Sequence, residues 1–195
     1  MSATPTVGTC EELEKDYFRL LDGPGPSTIR PVKVLEKSLE MVKRRWREGS
    51  VDYLYICNQL KSIRQDLVIQ AVKSDFTLEV YQTHARLALE NKDYNEFNQC
   101  QTKLNKLFTE FKGAEAEFTA YKILYLLEDA DSQSTLLHAI QSLSPTQKQS
   151  PEVQHSLHVR EAVHSHNYHR LFQLYRMAPH IGSYLIERFL DYVRL

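Results

Sequence analysis

The sequence is poor in glycine, proline and cysteine, and it has no long apolar run. Only 6 Gly and 7 Pro occur among 195 residues, which disfavours turn-rich sandwiches and barrels and favours long helices. The 3 Cys are too few and too scattered for a disulfide framework or a zinc knuckle, so we expect a reducing intracellular compartment. No stretch approaches the roughly 20 apolar residues of a membrane helix, and the first residues lack the apolar core of a secretory signal. We therefore expect no membrane partner.

The chain also lacks a dominant charge and the usual signatures of catalysis. Lys+Arg total 24 and Asp+Glu total 25, a net charge of -1, which excludes a histone-like polycation and an acidic tail but is compatible with a local basic patch. Neither a phosphate loop, nor a dinucleotide fingerprint, nor a Gly-x-Ser-x-Gly elbow occurs. We predict a protein that is not an enzyme, with no catalytic residue and no cofactor.

Apolar residues recur at helical spacing along most of the chain, and no window alternates in the manner of a strand. We therefore predict an all-α protein of about ten helices. Residues 1–8 are small and polar and predict a disordered arm, whereas residues 9–195 predict a single helical repeat domain. The polar stretch 144–150 predicts a loop.

Two pairs of residues have the spacing of a capping box, in which two side chains satisfy each other's free backbone donors. Thr9 and Glu12 predict the start of a first helix that ends near Asp22. Asp93 and Glu96 predict the start of another.

An internal repeat is visible in the sequence. The segment from His84 to Tyr94 shares His, Arg, Ala and Tyr with the segment from His158 to Tyr168, at an offset of 74 residues. Half of that offset lies in the range of helix–turn–helix repeats of the tetratricopeptide (TPR) type. One helix pair cannot bury its own apolar faces, so such pairs stack and share a core. We predict a TPR-like right-handed α-solenoid.

One region is strongly basic. Its cations could follow a phosphate backbone, so we predict a nucleic-acid-binding set: Lys33, Lys37, Lys43, Arg44, Arg45 and Arg47. A solvated helix face with a Glu40–Arg44 pair explains the same residues. A nuclear import signal also fits the composition, although Trp46 belongs to an apolar stripe and would hold the run in a helix.

Histidine is unusually dense near the C-terminus. The cluster comprises His155, His158, His164, His166 and His169. Metal binding needs convergent ligands, usually with a carboxylate or thiolate, and Cys10, Cys57 and Cys100 all lie far away in the sequence. We interpret the histidines as a solvated polar surface and predict no metal site.

Several strings resemble the SAC/GANP family of nuclear messenger-RNA scaffold proteins. They are PSTIRP at residues 26–31, KSIRQDL at 61–67, YQTHARLALE at 81–90 and EFNQCQ at 96–101. KSIRQDL is the most specific of them. It is also unusually polar between its apolar anchors, and a buried arginine within it would have to be paired. The resemblance covers about residues 10–184.

The resemblance implies a PCI-type architecture, in which helical repeats lead into a winged helix. It implies a non-catalytic nuclear subunit that pairs with a second PCI-domain protein and with a small acidic Sem/DSS-type subunit, and that works with RNA in transcription-coupled messenger-RNA processing and export. The motif positions that it marks as scaffold are Lys61, Arg64, Gln65 and Asp66. The alternatives are a PCI subunit of a proteasome-lid or signalosome-like assembly, and a metal-dependent enzyme that uses the histidine cluster.

The last helix of the chain carries a further prediction. The chain stops at Leu195 inside an amphipathic helix, where the family continues into the winged helix, so we expect that the winged helix is truncated. This leaves a candidate partner-binding face that we expect to be exposed: Tyr184, Leu185, Phe189 and Tyr192.

Overall fold

The computed structural model describes residues 7–19, 24–128 and 130–193. The chain divides into two compact units, Met1–Phe111 and Lys112–Leu195. Throughout the described residues the regular elements are helices and no strand occurs, which confirms the predicted all-α class. None of the described helices combines the length and the apolar character that a membrane crossing requires.

The first unit contains four consecutive helices. They are α1 Val32–Arg47, α2 Tyr53–Ile69, α3 Asp75–Glu90 and α4 Tyr94–Leu107, preceded by a 3₁₀ turn at Pro26–Thr28. Each helix packs against the next. Aliphatic side chains of α1 and α2 form most of the core, with Val80 and Leu87 added from α3. Trp46, the only tryptophan of the chain, packs partly buried against this core.

The described part of the second unit contains six helices. They are α5 Glu115–Glu128, α6 Gln133–Gln141, α7 Pro145–Gln149, α8 Pro151–His164, α9 Tyr168–Arg176 and α10 Ser183–Val193, with a 3₁₀ turn at Ala130–Ser132. Helix α5 packs against α6, α8 and α10, and α8 packs against α7 and α9. Ile123, Leu136 and Val153 form a buried cluster between α5, α6 and α8.

The short helix α7 corrects the prediction of a loop at 144–150. Ser144 accepts a hydrogen bond from the Gln147 amide, and the Gln147 side chain accepts one from the Ser144 amide. Pro145 occupies the first helical position, where its missing amide proton costs nothing. A complete capping box and a favourable proline thus hold one helical turn within a polar sequence.

The turns that join α3 to α4 and α8 to α9 are consistent with the predicted repeat. The amides of residues 91–93 donate to the carbonyls of 87, 89 and 88, and the amides of 165–167 donate to those of 161, 163 and 162. The middle residues, Lys92 and His166, have φ angles of 58° and 53°. The same closure ends α3 and α8 at the offset of 74 residues that the sequence indicates, and it also ends α1 at Gly49 and α2 at Ala71.

The caps that follow these turns are also equivalent. Asp93 has φ -84° and ψ 77°, Asn167 has φ -84° and ψ 78°, and each side chain accepts from the amide three residues later. The repeated histidines differ, however, because His84 is fully buried and His158 is exposed. The backbone of the pair is repeated, whereas its surroundings are not.

The N-terminal segment 7–19, here called the strap, is extended. The predicted helix from Thr9 is wrong for residues 9–19, and the rest of it, residues 20–22, lies outside the described residues. Side chains of α2 bind the backbone of the strap. The Lys15 amide donates to Gln59 Oε1 at 3.1 Å, and the Tyr17 amide donates to Asn58 Oδ1 at 2.7 Å. These bonds replace the local ones that a helix would make.

Gly8 fixes the start of the strap. It is buried, and its amide donates to Gln70 Oε1 at 3.1 Å, so this end of the predicted disordered arm is ordered; residues 1–6 lie outside the described residues. A Cβ atom at Gly8 would fall well inside van der Waals contact with the Ile29 carbonyl. The next amides donate to the Pro26 and Ile29 carbonyls at 2.9 Å each. Only glycine allows this approach of two backbones.

We expect Gly8→Ala to detach the strap and to destabilise the first unit by about 1–3 kcal/mol, because the backbone carbonyl cannot move aside. Gly25→Ala is the matched control, since a Cβ there meets nothing closer than the Ser27 hydroxyl at 3.9 Å. Limited trypsin digestion measures the effect as cleavage after Lys15. Equal cleavage rates for the two variants would show that the strap does not depend on this contact.

Candidate functional site

Helix α2, which carries the KSIRQDL string, presents three different faces. The first is apolar and enters the core through Ile56, Leu60, Ile63 and Leu67. The second is polar, faces the strap and comprises Asn58, Gln59, Ser62, Gln65, Asp66 and Gln70. The third comprises Cys57, Lys61 and Arg64 and faces Glu96 of α4. A helix surrounded by packed elements on three sides explains why its sequence is polar yet largely buried.

Asp66 is the centre of the second face. Its carboxylate is fully buried and lies 2.7 Å from Arg30 Nε, which is also fully buried, and 2.6 Å from Lys15 Nζ. The other guanidinium nitrogens of Arg30 donate to Ser62 Oγ at 2.8 Å and to the Leu13 carbonyl at 3.1 Å. One carboxylate thus joins α2, the strap and the segment that leads into α1.

Glutamine side chains complete the attachment of the strap. Gln65 Nε2 donates to the Phe18 carbonyl at 3.0 Å. Gln70 Nε2 donates to the Arg30 carbonyl at 2.8 Å, while its oxygen accepts from the Gly8 amide. An amide side chain both donates and accepts, so it can pair with either polar group of an extended backbone.

Glu96 is the centre of the third face. It is 2% exposed, and its two oxygens lie 2.5 Å from an Arg64 guanidinium nitrogen and 2.8 Å from Lys61 Nζ. Arg64 also contacts the Cys100 sulfur and stacks over the Tyr81 ring, 5.4 Å from its centroid. Asp93 caps α4 as predicted, but the Glu96 side chain turns inward to these cations instead of completing the capping box.

Cys57, His84 and Glu96 form the one candidate metal-ligand group found in the part of the chain that the structure describes. Their ligand atoms lie within 4.8 Å of one another and all three are buried. However, Arg64 and Lys61 already bind both oxygens of Glu96, and a divalent cation would have to displace two positive charges. Burial also raises the pKa of the Cys57 thiol, which disfavours the thiolate that metals require.

The remaining groups of this cluster are equally unreactive. Burial raises the pKa of the Cys100 thiol to about 12, so it is protonated at neutral pH. Burial, and then the charges of Arg64 and Lys61, lower the pKa of His84 well below its ordinary value, so this imidazole is neutral. The arrangement holds α2, α3 and α4 together and offers no activated nucleophile.

The predicted basic set divides into residues that pair with an acid on another element and residues that are exposed on α1. Lys43 contacts Glu79 of α3, and Arg45 contacts Glu14 of the strap and the Tyr55 hydroxyl, so these two cations support the fold. The others are exposed along one side of α1 and are called the basic face: Lys33, Lys37, Arg44 and Arg47. Exposed Glu36, Glu40 and Glu48 are interspersed with them, and Glu48 lies 3.9 Å from Arg44.

The histidine cluster does not form a ligand set. His155 is half-buried, and its Nε2 lies 2.9 Å from the Leu174 carbonyl. His169 lies 2.9 Å from the Gln173 amide nitrogen, and His158, His164 and His166 are exposed. These side chains therefore contribute to the surface of α8 and α9.

The expected exposure of the last helix is wrong for two of its four residues. Leu185 is 0% exposed and Phe189 is 7% exposed, because α10 packs against α5 and α9 within the second unit. Tyr184 is half-buried, and the side chain of Tyr192 lies outside those that the structure describes. A partner role for this helix stays a prediction, and it cannot use Leu185 or Phe189 without opening the unit.

Some scaffold residues were missed by sequence reasoning. Arg30 and Lys15 carry the charges that Asp66 requires, and Glu96 carries the one that Lys61 and Arg64 require. The sequence did indicate that a partner exists, because a buried cation in KSIRQDL requires an anion elsewhere in the chain. Nothing local to the sequence identifies which acid supplies it.

Comparison with known proteins finds a family and several relatives. The model of the SAC3/GANP family matches residues 15–195. The chain is 47% identical to the Leukocyte receptor cluster member 8 homolog of Xenopus laevis over 95% of its length, 44% identical to SAC3 family protein A of Arabidopsis thaliana over 98%, and 38% identical to Protein THP3 of Saccharomyces cerevisiae over 97%. It spans 23%, 19% and 42% of those proteins, respectively.

We expect Asp66→Asn to destabilise the first unit by about 3–5 kcal/mol, because Arg30 and Lys15 lose their only shared anion in a buried site. Glu48→Gln is the control: its carboxylate is exposed, and its loss should change stability by less than about 0.5 kcal/mol. Urea unfolding followed by the fluorescence of Trp46 measures both. Equal midpoints for the two variants would contradict the role of this ion pair.

The lowered pKa of His84 predicts a pH dependence of stability. Below its ordinary value of 6.5 the unfolded chain binds a proton that the folded chain does not, so stability falls as the pH falls from 6.5. The contribution is at most about 1.4 kcal/mol per pH unit. His84→Leu should flatten the dependence of the urea midpoint on pH. His158→Leu, at the exposed counterpart in the repeat, is the control for loss of a histidine side chain outside the core.

Proposed function

We propose, because this chain belongs to the SAC3/GANP family, that it is a non-catalytic scaffold subunit of a nuclear complex that processes and exports messenger RNA. In this role it binds protein partners and RNA. The family resemblance suggests the process. The observation that carries the scaffold role is that the buried carboxylates of the motif strings, Asp66 and Glu96, are paired with cations of the chain itself inside the first unit.

The two buried carboxylates found among the described residues of the first unit illustrate this point. Asp66 and Glu96 bind cations of the chain itself, so neither is available as an acid, a base or a metal ligand without breaking the fold. The two buried thiols have raised pKa values. This favours a protein that acts through its surfaces, which is what a helical repeat provides.

The partners that we propose are a second PCI-domain protein and a small acidic Sem/DSS-type subunit. The chain spans less than half the length of the three relatives compared above, so residues outside it contribute to those proteins. Two ion-pair networks hold the helices of the first unit together. We propose that the exposed sides of these helices contact such partners.

Affinity purification from a nuclear extract, with and without RNase, tests the assignment. We expect mass spectrometry to recover a second PCI-domain protein and RNA-processing or export factors. Subunits of the proteasome lid or the signalosome, recovered without RNA factors, would indicate the alternative assembly. Recovery of the small acidic subunit would not discriminate between the two assemblies, because it is compatible with both.

The basic face of α1 is the proposed contact with the RNA backbone. Exchange of Lys33, Lys37, Arg44 and Arg47 for Gln should weaken binding to single-stranded RNA and reduce the slope of log affinity against log salt by about 3, since each lost phosphate contact removes about 0.7. Fluorescence anisotropy over a range of salt concentrations measures the slope.

The control exchanges the two paired cations, Lys43 and Arg45, for Gln. Because Glu79 and Glu14 already neutralise these side chains, their loss should lower stability and leave the salt slope nearly unchanged. An unchanged slope for the four-residue variant would mean that the basic face is only a solvated surface.

A further inference from the structure

The outer face of α9, defined here as Tyr168, His169, Phe172 and Arg176, combines exposed aromatic rings with basic groups. Tyr168 is 45% exposed and Phe172 is 38% exposed. They are four residues apart and therefore adjacent on one side of the helix. His166 lies beside them, its ring in edge contact with that of Tyr168 at a centroid distance of 6.3 Å. The opposite side of α9 is buried through Leu171 and Leu174.

The repeat provides an internal comparison for this face. At the offset of 74 residues its members correspond to Tyr94, Asn95, Asn98 and Thr102 of α4. The last three of these are exposed, like the residues to which they correspond in α9. Because the turns and caps of the two pairs are the same, the fold accepts asparagine where α9 has Phe172. The fold alone therefore does not require an exposed aromatic ring at that position.

The segment of sequence that carries this face contains basic but no acidic residues. No Asp or Glu occurs from residue 162 to residue 186, although the chain has 25 acidic residues in all. The same segment contains Arg170 and Arg176, both exposed, and four histidines. Aromatic rings interspersed with cations suit single-stranded nucleic acid, because bases stack on the rings and phosphates approach the cations. A purely apolar protein partner would not require this charge.

We propose that the outer face of α9 binds single-stranded RNA, with bases stacked on Tyr168 and Phe172 and the backbone held near Arg176. This site rests on the proposed function in that its ligand is RNA. It is separate from the basic face of α1, because it lies on a different helix and depends on stacking as well as charge.

The test uses an α9 whose outer face is given the residues of α4, by His169→Asn, Phe172→Asn and Arg176→Thr. The probe is a fluorescein-labelled oligouridylate of about 12 nucleotides, with anisotropy as the readout. We expect Phe172→Asn alone to weaken binding about 5- to 100-fold without changing the salt slope, because a stacking contact and no phosphate contact is lost. The triple variant should also lower the slope by about 0.7.

The matched control is Asn98→Ala on α4, the counterpart of Phe172, and it should leave RNA affinity unchanged. Ultraviolet crosslinking of 5-bromouridine RNA gives a second readout: the tryptic peptide 171–176, which holds Phe172 and Tyr175, should carry the adduct. Circular dichroism of each variant verifies that the helices are retained.

The outcomes separate this site from the general proposal. If the chain binds RNA and the α9 variants bind it equally well, the α9 site is wrong and the basic face remains. If the unaltered chain binds no RNA, the RNA role and this site fail together. If the triple variant keeps RNA affinity but loses a co-purified protein, the face is a protein-docking surface and the proposal is overturned.

Discussion

A buried charge must be paired, and two buried carboxylates determine how the first unit is assembled. Asp66 and Glu96 lie on α2 and α4, and each is bound by two cations from other elements. Leaving such a group unpaired costs several kcal/mol, more than any single helix cap or backbone preference contributes. The strap, the start of α1 and the first turn of α4 are therefore positioned by α2. The apolar core adds stability, but these pairs select one arrangement of the helices.

The dominance of distant pairing over local preference explains what the sequence could and could not predict. Most helices were predictable, because periodicity and caps such as those of α4 and α9 are local signals. Thr9 and Glu12 have the same spacing, yet no helix forms there, because polar side chains of α2, more than forty residues away in sequence, bind the strap backbone. The sequence contains both signals but does not reveal which of them is stronger.

The exposure of the candidate surface residues was likewise not predictable from the sequence alone. Six cations near α1 are indistinguishable by composition, and only the positions of Glu14 and Glu79 separate Arg45 and Lys43 from the exposed residues. Helix α9 contains aromatic and basic residues at helical spacing, but their exposure depends on which side of the helix faces α8. The repeated turn then allows one copy of the pair to be compared with the other. The pairs α3–α4 and α8–α9 share the geometry of their caps but differ in their exposed side chains. A side chain that differs between the pairs is therefore not required by the fold.

The strap has a consequence for the order of events on the ribosome. Lys15 is synthesised 51 residues before Asp66, its partner, and the amides of the strap leave the exit tunnel before the side chains of α2 that will bind them. The contacts of the strap with Gln59, Asn58 and Asp66 therefore cannot form until α2 has emerged.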